Sequence, residues 1–413
     1  LQPHDAQLQW QAASLAFAAG DMDATFQHLD AADELAGPSP ESTCLRGDAL
    51  LQQGDAAGAL KTWQSAPSPC PASPAHDRRL VSAYLAIDDR AGYESALDSL
   101  VAVEPGDAQA LKALAITVAT RDPDGAEVLF RRGDQAAPEG DPLIRALIRT
   151  VDEAQAEGNP AYSLAQVGQV LAQNDEWVYA SWAFRQALTA DPDYVEARAY
   201  LGLSLDHTGG DGLPELEAAA AAAPGASQPH AYLGMHWRMK GEPSKALAEL
   251  QTAARLAPED PAIAAELAAT YEALGDANSA LAAYRMATDL APRQSGFWLL
   301  LAGFSVRQEL EIGLIGLPAA RNAVALTPQD PAAWDELGDC YMLTGDLEMA
   351  DRILSHAMEL APDRPMSLYH LGLLKLYQGD ALAARSALER AVEGDPGGPV
   401  ADLAQRALER AGF

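Results

Sequence analysis

The strongest constraint on this chain is an internal period. The stretch "WDELGDCYMLTGDLEMA" at 334–350 places Trp334, Leu337-Gly338, Tyr341, Gly345-Asp346 and Ala350 in an order that returns at Leu368, Leu371-Gly372, Lys375, Gly379-Asp380 and Ala384, a shift of 34 residues. Such a period marks one supersecondary unit, repeated, in which each copy buries its apolar face on its neighbours. Prolines mark the unit ends. Pro71, Pro105, Pro138, Pro192, Pro224, Pro258, Pro292, Pro328, Pro362 and Pro396 each close an apolar helical stretch. Proline lacks a backbone N–H and its ring clashes with the preceding turn, so it stops a helix.

Two helical patterns flank a Gly-Asp turn within a unit, as at Gly20-Asp21, Gly54-Asp55, Gly275-Asp276, Gly345-Asp346 and Gly379-Asp380. Glycine ends the first helix in the left-handed region and aspartate caps the second. Each unit therefore reads as an antiparallel helical hairpin. Eleven are counted, at about 6–37, 40–71, 74–105, 107–138, 161–192, 195–224, 227–258, 261–292, 295–328, 331–362 and 365–396. Residues 141–157 read as one unpaired helix, apolar over a wide arc through Leu143, Ile144, Leu147, Ile148 and Val151. Residues 399–411 read as a single amphipathic helix with a polar outer face.

The pattern strongly resembles the tetratricopeptide repeat family. Residues 331–362 carry it as Trp334, Leu337, Gly338, Tyr341, Gly345, Ala350, Leu354, Ala357 and Pro362; residues 261–292 as Leu267, Ala268, Tyr271, Gly275, Ala280, Tyr284, Ala287 and Pro292. The resemblance implies an all-α, right-handed α-solenoid superhelix of helical hairpins with a C-terminal capping helix. The expected organisation is an N-terminal module of four divergent units over 1–139, the inserted helix over 140–160, a seven-unit module over 161–396 and the cap over 397–413.

Composition excludes several roles. The formal net charge of −31 argues against a general affinity for nucleic acid or anionic lipid, both of which are bound by basic side chains. No apolar run approaches the roughly 20 residues that cross a bilayer. The eight histidines show no metal-ligand spacing, and no glycine-rich phosphate loop follows a strand. "GGDG" at 209–212, with Asp206, Asp211 and Glu215, lacks an ordered ligand series and reads as a turn. If repeats consume the chain, no catalytic domain remains, and no catalytic residue, cofactor or metal is assigned.

In the resembled family the first helix of each unit lines the concave surface through its second, fifth, ninth and twelfth places. Here those places hold Tyr162, Ala165, Gln169, Glu196, Leu203, Asp206, Ala231, Met235, Arg238, Ala265, Leu299, Asp335, Asp339, Tyr369 and Leu373, with Tyr200 and Tyr232 adjacent. Lys and Asn, which grip a chaperone's C-terminal carboxylate in some members, are missing there. The candidate partner-binding residues are Tyr162, Tyr200, Tyr232, Met235, Arg238, Leu299 and Tyr369. The expected ligand is a helical or extended protein segment, with the groove's acids favouring a basic one. The alternative for the tyrosines is packing between units.

Other features point to contacts or compartment. Trp177, Tyr179 and Trp182 are expected on the inserted helix, with a binding patch as the alternative. Ile312, Leu314, Ile315 and Leu317 replace a polar turn, and read either as a surface contact site or as a longer buried second helix. Leu8 and Leu15 belong to a second apolar strip on the first helix. Leu8, Leu15, Ile312, Leu314 and Ile315 are the self-association candidates. Cys44 and Cys70 sit at the start and end of one hairpin and are a possible disulfide; bonded, they lean the reading toward export (periplasmic or extracellular), and otherwise toward the cytoplasm. The chain begins at Leu1 with no initiator methionine, so an upstream segment is expected to have been removed. The functional expectation is a non-enzymatic interaction scaffold. The alternatives are a self-associating structural subunit of a fibre or shell, and an accessory subunit of an enzyme complex.

Overall fold

The computed structural model describes residues 5–66, 70 and 73–413. Two compact units, 1–222 and 223–413, divide it. All secondary structure among the described residues is helical. Pro71 lies outside the described residues.

The first unit holds six hairpins and one single helix. The hairpins are α1 (Ala6–Ala18) with α2 (Met22–Ala36), α3 (Pro40–Gln52) with α4 (Ala56–Gln64), α5 (Pro74–Ala86) with α6 (Arg90–Val103), and α7 (Ala108–Ala119) with α8 (Glu127–Ala136). After the single α9 (Pro142–Gln155) come α10 (Pro160–Gln173) with α11 (Trp177–Ala190), and α12 (Val195–His207) with α13 (Leu213–Ala222). The second unit holds five hairpins: α14 (Ser227–Met239) with α15 (Pro243–Leu256), α16 (Pro261–Ala273) with α17 (Ala277–Leu290), α18 (Ser295–Arg307) with α19 (Leu317–Leu326), α20 (Pro331–Leu343) with α21 (Leu347–Leu360), and α22 (Pro365–Tyr377) with α23 (Ala381–Gly394). The single α24 (Pro399–Ala411) ends it.

Local chemistry explains the helix ends. Asp21, Asp55, Asp276, Asp346 and Asp380 each accept a backbone N–H from the first turn of the helix they precede, an interaction worth about 1 kcal/mol per cap. The pairing inside a hairpin depends on the small residue at the eighth place. A methyl built on Gly338 would stand 2.6 Å from Leu354, and one on Gly372 2.6 Å from Leu388; both leucines are wholly buried. Large residues at the fourth place tie successive units. The Trp298 indole donates to the Pro292 carbonyl at 2.9 Å and the Trp334 indole to the Pro328 carbonyl at 2.8 Å. The proline that stops one unit thus finds its orphan carbonyl capped by the next.

The expected division at 140–160 lies inside the first unit. Helix α9 packs between α8 and α10, burying Leu143, Ile144, Leu147, Val151 and Ala154. The aromatic trio of α11 does not pack on α9. Tyr179 and Tyr93 of α6 share a hydroxyl–hydroxyl hydrogen bond of 2.6 Å, and Trp182 meets Tyr93 edge-on at 5.6 Å. The Trp182 indole donates to Asp88, and Arg185 donates to the same carboxylate at 2.6 Å. Trp177 stacks on His207 at 3.8 Å. The reason is parity: one extra helix swaps the alternation of first and second helices, so α11, a second helix, meets the first helix α7 and the α5–α6 turn. Asp88 occupies the turn place that glycine holds elsewhere, at φ 58°. This left-handed conformation costs a non-glycine residue roughly 1 kcal/mol, which its contacts to Trp182 and Arg185 offset.

Two other irregular turns are resolved by their hydrogen bonds. In the 209–212 turn, Asp206 accepts from Gly212 N at 3.0 Å, Asp211 from Leu213 N at 3.2 Å and Glu215 from Arg198 at 2.8 Å. Residues 312–316 form a π-helical turn leading into α19. Ile315 is buried there, Ile312 and Leu317 are half-buried and Leu314 is 80% exposed. Only Leu314 of that apolar segment fully faces solvent; Ile315 belongs to the core beside Phe304 and Ala320.

The structure joins Cys44 and Cys70 in a disulfide, with Cα atoms 5.8 Å apart. Cys340 is a buried free thiol, and burial pushes it well above the usual thiol range. Helix α24 covers the last hairpin with Ala401, Ala404 and Ala407. At the other end Leu8 is half-buried and Leu15 is 73% exposed. No helix among the described residues is long and apolar enough to cross a membrane.

Candidate functional site

The expected partner-binding residues fall in both units. Tyr162 and Tyr200 belong to the first. Both are half-buried, and Tyr200 stacks on Phe184 at 5.2 Å, so its ring serves the packing of α11 on α12. Tyr232, Met235, Arg238, Leu299 and Tyr369 belong to the second and are likewise half-buried. Gln228 donates to the Tyr232 hydroxyl at 3.1 Å. Tyr369 lines a recess of about 380 Å³ with Leu373 and the arginines Arg406 and Arg410 of α24.

The second unit's first helices present a charged surface built by ion pairs between repeats. Arg238 of α14 meets Glu266 of α16 at 2.9 Å. Arg307 of α18 donates twice to Glu272 of α16, both at 3.0 Å, and Tyr284 adds a third donor at 3.1 Å. Burial raises the Glu272 carboxyl, but these donors more than offset it and hold the group below the ordinary glutamate value. Between the pairs lies an open recess of about 470 Å³, lined by Ala265, Ala269, Ala273 and Leu300 with the charged groups at its rim. Leu300 is 42% exposed.

Further along, Asp335 is almost wholly buried and accepts from Arg364 and from Ser367 at 2.8 Å. Glu336 and Asp339 follow on the same helix. Burial, aided by Asp339, pushes the Glu336 carboxyl up to about 7; burial likewise raises Asp339.

The inward places assumed at the outset caught Asp335, Asp339, Met235 and Arg238 but missed a row. The sixth place of successive units holds Tyr232, Glu266, Leu300, Glu336 and His370, and all the charged members of that row take part in contacts between first helices. Reading the sixth place down the aligned units would have exposed this row.

Within each unit the helices pair into successive hairpins, the construction of a repeat solenoid. The chain carries tetratricopeptide repeats. The tetratricopeptide repeat profiles match residues 331–364 and 240–295, and hairpins of the same construction run through both units. Similar solved structures include yeast Tom70, at 14% identity over 98% of this chain and 95% of that one with a TM-score of 0.47. YrrB, described as a TPR protein with an unusual peptide-binding site, is 20% identical over 47% of this chain and 97% of its own, with a TM-score of 0.36. A Thermus thermophilus TPR protein, TTC0263, is 26% identical over 44% and 96%, with a TM-score of 0.38. No curated protein matches the chain.

Proposed function

We propose that this protein is a non-enzymatic scaffold that binds a protein segment along the first-helix face of its second unit. The observation that carries the reading is the recess between Arg238, Glu266, Glu272, Leu300 and Arg307. It combines an apolar floor with a rim of oriented charges, which suits a segment having both apolar and polar side chains. The ion pairs hold neighbouring first helices in register, so the floor is formed before a ligand arrives. The test is capture of a partner from the native source on immobilised protein. Leu300→Glu and Ala269→Glu should abolish capture, whereas Leu15→Glu and Leu314→Glu should leave it intact. Retention of the partner by both groove variants would end the reading.

A second reading, a self-associating subunit, is favoured by the exposure of Leu15 and Leu314. It predicts assembly that rises with concentration, needs no other protein and is lost in those same two variants. The Cys44–Cys70 bond supports residence in an oxidising compartment; recovery of the bonded form from an exported fraction tests this.

A further inference from the structure

The first helices of the second unit's hairpins carry few lysines and arginines, and each is neutralised. Arg238 of α14 pairs with Glu266, Arg307 of α18 with Glu272 and Lys375 of α22 with Asp351. Helices α16 and α20 hold neither residue type. The single helix α24 continues this row in space. It touches both α22 and α23, just as α16 touches α14 and α15, α20 touches α18 and α19, and α22 touches α20 and α21. Its two arginines, Arg406 and Arg410, depart from the rule. Neither forms an ion pair among the described residues. Arg406 donates through Nε to the Asp402 carbonyl at 3.0 Å, a contact that leaves its charge unmatched.

Both arginines are exposed, and both line the recess of about 380 Å³ between α22 and α24. They stand four residues apart, so two like charges are neighbours on one helix face, an arrangement that weakens a helix. The helix dipole favours a cation in the last turn. That accounts for Arg410 but not for Arg406, a turn earlier. The floor of the recess is apolar, with Leu373 and Leu376 from α22 and Leu403 from α24, and no carboxylate lines it. In a chain of net charge −31 this is a local reversal of sign beside an apolar surface. A guanidinium offers a carboxylate a planar, bidentate fork and keeps its charge at any working pH. Two forks one turn apart match two carboxylates, which favours acidic side chains over a single chain terminus.

We propose that the recess between α22 and α24 receives an acidic, leucine-containing stretch of the partner segment, its apolar side chain on Leu373 and Leu403 and its side-chain carboxylates on Arg406 and Arg410. The inference rests on the reading that the first-helix face of this unit carries a partner, and it names the chemistry recognised at the α24 end. The basic ligand expected from the groove's acids has less to bind, because Glu266, Glu272 and Asp335 already hold arginines of the chain itself.

The experiment uses the full chain and three peptide probes, with binding measured calorimetrically. The first is acetyl-Ala-Glu-Ala-Leu-Leu-Glu-Ala-amide, the second has Gln for both Glu, and the third is the Gln peptide with a free C-terminal carboxylate. The acidic peptide should bind about fivefold or more tightly than its Gln counterpart, against the general repulsion of a chain of charge −31. The double variant Arg406→Gln/Arg410→Gln should erase that difference. Arg352→Gln/Arg385→Gln removes the same charge from exposed positions on α21 and α23 and should preserve it. Failure of the acidic peptide to bind, equal affinity for the two amides, a preference that outlasts both recess arginines, or one that the control variant also removes, each overturns the proposal. So does tighter binding of the free-carboxylate peptide than of the acidic one, which assigns the arginines to a chain terminus. Self-association in light scattering that Arg406→Gln/Arg410→Gln abolishes assigns the recess to a second copy, and binding to phosphatidylglycerol vesicles that the same variant abolishes assigns it to a lipid surface; either result overturns the proposal. Capture of the native partner that is indifferent to Leu300→Glu and Ala269→Glu removes the groove and leaves the peptide result standing.

Discussion

The contact of Gly338 with Leu354 offers a quantitative test of how each hairpin closes. Leu354 is wholly buried, and a methyl on Gly338 would overlap its Cγ and Cδ2 at 2.6 Å. Gly338→Ala has two opposed effects. Alanine is favoured over glycine in a helix by about 1 kcal/mol, and the overlap costs about 1–3 kcal/mol. The single variant should therefore be neutral or destabilised by up to about 2 kcal/mol. Leu354→Ala removes the obstructing side chain and should cost about 2–5 kcal/mol. In the double variant the new methyl occupies vacated space, so the overlap disappears and the helical gain stays. The double variant should then be more stable than the sum of the singles implies, with a coupling of about 1–3 kcal/mol. The assay is hydrogen exchange read on peptides from 331–360, because a solenoid opens by units and one global unfolding energy is not defined. Coupling below about 0.5 kcal/mol, the limit of ordinary additivity, or a clear stabilisation by Gly338→Ala alone would refute the close-approach argument.

Glu336→Gln tests the buried carboxyl from the stability side. Its folded value near 7 exceeds the ordinary 4.5, so the native state is penalised as pH rises from 4.5 through 7 and is unpenalised below. The variant should match the parent near pH 4 and be more stable at pH 8, by on the order of 3 kcal/mol as an upper bound; equal stability at pH 8 speaks against burial of the charge. Cys70→Ser removes a link spanning 26 residues and should destabilise the second hairpin by about 3 kcal/mol. In the parent, denatured without reductant, one titratable thiol is expected, from Cys340; three would show the bond unformed. Asp88→Ala keeps a strained backbone and loses both the Trp182 and Arg185 contacts. Exchange of the α5–α6 turn and of α11 should accelerate together, and acceleration confined to the turn would contradict the cross-packing. Light scattering of Leu15→Glu and Leu314→Glu, over a wide concentration range, separates a monomer from an assembling subunit.

The sequence alone determined the repeat. A period of 34 residues, Gly-Asp turns and terminal prolines act through local conformational preference, and local preference is written residue by residue. Helix ends and hairpin pairing were legible for that reason. The unpaired helix at 141–157 was legible too, since its Asp-Pro start and wide apolar arc are local signals. Where α11 would pack was not legible. Tyr179, Trp182 and Arg185 reach Asp88 and Tyr93 across some ninety residues of chain, and only the parity change made by α9 in three dimensions brings them together. The same limit applied to the face of the second unit. Periodicity gave Asp335 and Asp339 equivalent places, yet the fold gave Asp335 Oδ2 an arginine and a serine and left Asp339 only His370 Nε2 at 3.9 Å. Which charge meets a partner is decided by side-chain reach between helices from different repeats. That reach depends on the spacing and rotation of packed helices, quantities that tertiary packing sets and a linear pattern does not contain.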